Sequence, residues 1–287
     1  MRCVVVDGSR ARRDVATAVG EGGAPSSALL VLQGQGPFLG AQLKLVERLE
    51  AAGVRWDELH ATSSGVAAAL FLVALRAGRG RFAVSPALDA ACRSCFLGPW
   101  RLRAAVALAE RDAARAASEI GEAALDAAVV AARVFVYAYD DLGKRCVFRP
   151  RSWRGLVDAG LKAGCIPLIT NSSETHLDGI AVGGDEIRSR AAELARCGRR
   201  ADVWATAFPS PGATLLYVCG ITPMAGFSAP LRCLQPTDRY ASALDVCRRV
   251  ILAVFLLLRS VTRRGRTSLL LLAGLAAAAV ARRRRST

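Results

Sequence analysis

Histidine is almost missing from this sequence, which holds two in 287 residues, His60 and His176. His60 comes before a serine turn on what reads as a strand, and His176 lies two residues before Asp178, so a Ser-His-Asp triad has little to draw on. Zinc sites are built from clustered His and Cys, and the chain has one CxxC, Cys92 to Cys95, with no second pair. No metal and no other cofactor is therefore expected. The nine cysteines are odd in number and scattered, which suits reduced thiols in a reducing compartment rather than a disulfide framework. Met1 to Asp7 offers too short an apolar stretch for a secretory leader, so a cytoplasmic location is expected.

Acidic residues are absent from one long stretch. Residues 246–287 contain ten arginines and no Asp or Glu, and so carry +10 of the formal net charge of +15. A nucleic-acid-binding fold would spread its basic residues over a folded face with aromatics between them, which argues against nucleic acid and for an anionic membrane surface as partner. Within this stretch and just before it, Tyr240, Leu244, Cys247, Ile251, Val254 and Leu258 recur at three- and four-residue intervals. That spacing predicts a helix over 238–260, for which docking on the domain is the plainer role. Leu269 to Ala281 is 13 residues without charge, about 20 Å long as a helix against roughly 30 Å of hydrocarbon. Arginines at both ends favour an interfacial or re-entrant anchor; a tilted span starting further upstream is the alternative.

The length suits one domain with appendages. Residues 1–27, rich in Gly, Ser, Arg and Ala, read as a flexible lead-in. The main domain covers 28–190, residues 191–245 continue it, and 246–287 form the tail. Ala28 to Leu32 is a short apolar run feeding the glycine-rich loop Gln33 to Gly40, as a buried strand would. Leu43, Leu45, Val46, Leu49 and Ala52 then fall near helical spacing, with Gly53 as the C-cap. A second strand runs from Trp56 to Ala61. Residues 101–132 are alanine-rich and predict one or two surface helices that break near Gly121. Arg133 to Tyr139 is a strand, Asp140 to Phe148 a turn and return strand. Residues 155–169 hold a short helix that ends before Pro167, and Asn171 to Ile180 is a polar loop. Strands alternating with helices predict an α/β fold with a central, largely parallel sheet, whose sites lie at strand C-termini.

Leu59-His60-Ala61-Thr62-Ser63-Ser64-Gly65 leads directly into the apolar run Val66 to Leu75. A serine among small residues, with glycine two places on and a helix behind it, matches the strand-turn-helix turn called the nucleophile elbow. Ser63 is the candidate nucleophile; the bland alternative is an ordinary helix N-cap. Small neighbours are needed because the serine takes a strained backbone conformation at a tight turn. Gly65 supplies one such neighbour, and Ala61 stands where the pattern has its first glycine.

Taken in order, the loop Leu32-Gln33-Gly34-Gln35-Gly36, the Ser63 elbow, and Asp178-Gly179 preceded by Ala163-Gly164-Cys165-Ile166-Pro167 resemble the patatin-like phospholipase family. The stretch Tyr137 to Lys144, with Val147 and Phe148, looks like that family's strand-turn-strand. The resemblance covers about residues 28–190 and implies a three-layer α/β/α fold. It also implies a Ser-Asp dyad without histidine, with Ser63 as nucleophile and Asp178 as base, and Gly179 supporting the aspartate turn. Backbone N–H groups of Gly34, Gln35 and Gly36 are then the expected oxyanion hole. A phospholipid or other acyl-ester lipid is the implied substrate. Gln35 interrupts the glycine triplet, Pro37 follows it, and Ile180 stands in place of a second glycine. A catalytically weak or inactive patatin-like membrane-binding protein is accordingly the rival reading; a general soluble esterase suits the basic tail poorly.

Overall fold

The computed structural model of the protein describes residues 27–34, 36–51, 56–197, 201–205 and 238–264. β1 (Ser27–Leu32) runs through the glycine-rich loop into α1 (Leu39–Ala51), then β2 (Glu58–Thr62) and α2 (Ser64–Ala77). α3 (Pro86–Ser94) and two 3₁₀ turns, Cys95–Leu97 and Pro99–Arg101, lead to α4 (Leu102–Ile120) and α5 (Glu122–Ala132). Next come β3 (Val134–Asp140), β4 (Arg145–Phe148), α6 (Trp153–Ala163), β5 (His176–Leu177), α7 (Gly184–Arg196), β6 (Ala201–Ala205) and α8 (Asp238–Arg264). The fold is α/β with a mixed central sheet in the order β4-β3-β2-β1-β6. β6, β1, β2 and β3 are parallel, while β4 and β5 both pair antiparallel with β3. The sheet is thus mixed rather than simply parallel, because the tight Asp140–Lys144 turn returns the chain as a hairpin with no crossover helix.

Burial explains why β1 is apolar at every position. Leu30 and Leu32 face the large core built with α1, α2, α4, α5 and α6, while Leu29 and Val31 join Phe135, Val182, Ile187 and Leu194 on the face covered by α7. A strand buried on both faces reads as a continuous apolar run. α2 is the central helix of the larger layer and packs on β2, β1, α1, α4, α5 and α6. Val66, Phe71, Leu72, Val73 and Leu75 are all buried in it, each adding roughly 1.5–3 kcal/mol of transfer free energy.

Local signals set the helix ends. Ser85 accepts the Leu88 N–H and Pro86 occupies the first turn of α3; Ser152 accepts the Gly155 N–H at the start of α6. Gly121, at φ 92°, separates α4 from α5, as expected, but these are not purely surface helices, since Leu125 and Val129 are fully buried. α6 stops at Ala163, short of Pro167. Gly164 closes it, and the N–H groups of Ile169, Thr170 and Asn171 all turn back onto Ile166 O. α8 begins ahead of residue 246, and its Ile251 and Phe255 are buried with Leu177 and Ile180. The first half of the basic segment is therefore docked on the domain. Among the described residues no helix is long and apolar enough to cross a membrane; Leu269 to Ala281 lies outside them, as do the 1–26 lead-in and Gly53.

Candidate active site

β3 organises the site through the way its neighbours share its edges. Tyr139 pairs with Arg145 of β4 on one side and Leu177 of β5 on the other, while β2 leaves β3 at the Thr62–Tyr137 pair. β5 therefore takes over the edge of β3 just past the end of β2. The residue after β2 is Ser63 and the residue after β5 is Asp178. Strand register alone brings the two together across 115 residues, and Ser63 Oγ donates a 2.6 Å hydrogen bond to Asp178 Oδ2.

Ser63 is held at φ 52°, ψ −135°, a region that L-residues other than glycine rarely adopt and that marks stored strain at functional turns. It stands at the N-cap position of α2 but makes no side-chain cap bond, so its hydroxyl goes to Asp178 in place of the helix. Two glycines make the approach possible. A Cβ on Gly65 would lie 2.1 Å from Leu32 O, and one on Gly179 would lie 1.9 Å from Tyr137 O and 2.1 Å from Thr62 Oγ1. Ala61 has no such neighbour problem, because its side chain is buried in the main core. The close approach that this turn demands falls on Gly65.

The expected oxyanion loop divides into three cases. Gly34 backs directly onto Ser63, since a Cβ there would fall 2.8 Å from Ser63 Cβ and 3.4 Å from its Oγ. Gly36 N–H donates to Ser64 Oγ at 2.9 Å and is thereby engaged within the loop. Gln35 lies outside the described residues. The first N–H groups of α2 also project at the turn, where such donors complete the oxyanion hole of elbow enzymes.

Burial pushes the Asp178 carboxyl up to about 6, against the opposing effects of its bonds from Ser63 Oγ and Ile180 N–H and of the Arg145 charge. The residue is 2% exposed. A base with that affinity is ionised at neutral pH yet retains useful basicity. Arg145, which no sequence signal singled out, fastens the loop that carries it. Its guanidinium donates to Gly179 O at 2.8 Å and Ala181 O at 2.7 Å, grips Glu186 through two bonds, and lies over the rings of Tyr137 and Tyr139. Gln33 fastens the same loop from β1, its amide pairing with both the N–H and the C=O of Val182.

The histidines lie elsewhere. His60 is bonded to Tyr137 OH and Glu58 and stacked on Phe135, in a buried cluster that Arg190 of α7 closes through Glu58. His176 bonds to Thr175 Oγ1. Among the described residues no group of three or more His, Cys, Asp or Glu is placed to hold a metal.

Ser63 and Asp178 open onto a cleft with about 810 Å³ of empty space, bounded largely by apolar side chains that include Leu70, Leu102, Val106 and Ile166. Cys92 and Cys95 line it as free thiols, pushed up by burial to about 12 and about 11, and so stay protonated. A second, smaller pocket shares Ala67, Leu70, Ala109 and Ala113 with the cleft and is lined also by Phe71, Phe82 and Trp153. No protein-family model matches the chain, and no curated protein matches it.

Proposed function

We propose that the protein is a lipid acyl hydrolase of the patatin-like phospholipase kind, with a three-layer α/β/α catalytic domain, acting on phospholipids or other acyl esters at a membrane surface. The observation that carries this reading is the 2.6 Å bond from a strained Ser63 to a buried Asp178 at the head of an apolar cleft. In the acylation step Ser63 Oγ bonds to the ester carbonyl carbon while its proton passes to Asp178 Oδ2. Gly34 and the N-terminal N–H groups of α2 face the developing oxyanion, and one such donor contributes about 2.7–4 kcal/mol. Collapse expels the alcohol, which takes the proton from Asp178. Water then releases the fatty acid, with Asp178 again the base. The apolar cleft suits the acyl chain, and no group other than side chains and backbone is required.

The basic segment beyond the catalytic domain supports membrane association, though not through all of its arginines. Arg248 pairs with Glu186 and Asp245, Arg249 with Asp245, and Arg259 donates to Glu174 O. The anionic surface is left mainly to the arginines from residue 263 on.

A second reading, an inactive membrane-binding member of the same kind, is favoured by one observation, the engagement of Gly36 N–H by Ser64 Oγ. Labelling with a serine-reactive fluorophosphonate separates the two. The hydrolase reading expects covalent label on the wild-type chain and none on folded Ser63→Ala. A folded wild-type chain that takes no label refutes it.

A further inference from the structure

We infer that the turn around Trp100 and the Ile166–Asn171 turn form a docking rim for a lipid surface, independent of the C-terminal tail. Leu97, Trp100 and Leu168 are 60%, 62% and 49% exposed. Each is a step from a residue that lines the cleft: Cys95 and Leu102 flank the first two, Ile166 and Thr170 the third. Single exposed apolar residues are ordinary on protein surfaces, but several bordering one apolar opening mark an interaction site.

Leu168 is out of place twice over. It sits at φ 69°, where a branched L-residue is disfavoured, and its side chain still points to solvent. The turn that fixes it is over-determined. Leu168 N–H donates to Asn171 Oδ1 at 3.0 Å, and Thr170 Oγ1 accepts from Ile166 N–H and donates to Gly164 O. Neither the strain nor the exposure stabilises the fold, and both present an apolar side chain outward beside the cleft.

Charge and position select lipid as the occupant. Arg101 and Arg103 are exposed beside Trp100 and complement anionic headgroups, while an indole ring, apolar with one donor, suits the boundary between headgroup and acyl chain. α8 reaches the same region, where Phe255 shares a core cluster with Ile166 and Cys95 and Arg259 bonds to Glu174 O. Five residues, about 8 Å of helix, separate Arg259 from the end of α8 at Arg264. The last described turn of α8 thus lies close to the side that carries the rim. Seated this way, the protein faces its cleft to the source of acyl chains. The choice of lipid over another protein rests on the hydrolase reading.

The test uses the full chain and vesicles of equal phosphatidylcholine and phosphatidylglycerol carrying brominated acyl chains. Trp56 and Trp153 are buried, and comparison with Trp100→Phe isolates the emission of Trp100. Vesicles are expected to quench that emission. Leu97→Ser/Trp100→Ser/Leu168→Ser is expected to partition about tenfold more weakly, the scale of losing an interfacial aromatic anchor and its neighbours, while still hydrolysing a short soluble ester at the wild-type rate. Unquenched Trp100 on vesicle-bound protein overturns the proposal, as does equal co-flotation of the triple variant. So does sedimentation showing a dimer that the triple variant abolishes, which assigns the rim to a second copy. Quenching without fluorophosphonate labelling retains the docking rim and rejects the hydrolase; labelling without quenching does the reverse.

Discussion

Replacing Arg145 tests whether Asp178, the proposed base, is set by the loop that carries it. Arg145→Met removes the donors to Gly179 O and Ala181 O, both on buried residues, and one partner of Glu186. A buried acceptor left without a donor costs about 1–3 kcal/mol. The ion pair, at 18% and 25% side-chain exposure, adds at most about 1 kcal/mol once solvent screening is allowed for. The expected loss of stability is about 2–7 kcal/mol, read by urea unfolding. Arg145 also helps to hold the Asp178 carboxyl down, so its loss moves the acid limb of the kcat/KM profile, measured on a short soluble ester, from near 6 to higher pH. Arg145→Lys retains the charge and loses the fork that spans two carbonyls and a carboxylate. It is expected to keep the acid limb near its wild-type position while still losing stability. An Arg145→Met protein with wild-type stability, or an acid limb that does not move, refutes the assignment.

Three further outcomes are expected. Burial raises the Asp178 carboxyl from its ordinary value of 3.8 to about 6 in the folded protein, so its contribution favours folding below about pH 4 and is lost as pH rises through 6. Asp178→Asn is accordingly expected to unfold at higher urea than wild type at pH 8, by up to about 3 kcal/mol, while hydrolysing no ester; lower stability at pH 8 contradicts the burial argument. Ala109 lines both the cleft and the second pocket, and Ala109→Leu is expected to lower turnover of long-chain esters several-fold with short-chain turnover unchanged; parallel changes for both contradict an acyl chain seated there. A chain ending at Arg264 lacks Arg266 and Arg282 to Arg285 and is expected to show a weaker salt dependence of co-flotation with anionic vesicles, because each arginine near such a surface contributes about 1 kcal/mol and screening removes that attraction; equal salt dependence with and without the tail contradicts it.

The order of elements was legible wherever a periodic pattern had room to repeat. β1, α2, β3 and α8 each have runs long enough to set a period, and the strong apolar character of α2 follows from its place at the centre of the helical layer. β5 has two residues, too few for any period, yet its pairing with β3 sets where Asp178 falls. Its existence depends on β2 ending early, which no local composition records. α3 and α7 are not marked by the sequence pattern, for different reasons: α3 has only nine residues, too few to repeat a helical period, and α7 is polar over most of its length, with Ile187 and Leu194 as its buried apolar residues. Arg145 reads locally as one more cation after a turn. Its function arises because β4 runs antiparallel and delivers the side chain onto carbonyls some 34 to 36 positions away.

Ile180 shows why a departure from an expected glycine need not weaken a site. It follows Asp178-Gly179 at φ 59°, where a branched L-residue carries a penalty of about 1–2 kcal/mol. Glycine would relieve that strain. Its side chain, however, is 4% exposed and packs in the cluster of Ile251 and Phe255 of α8, and removing a buried isoleucine costs about 2–5 kcal/mol. Burial outweighs strain, so the loop is stable in a shape that the backbone alone disfavours. Asp178 Oδ1 accepts the Ile180 N–H at 2.6 Å, and Arg145 grips the carbonyls on either side of that residue. The C-terminal helix, the arginine on β4 and the strained isoleucine thus act on one turn, and the carboxylate they hold is the one bonded to Ser63.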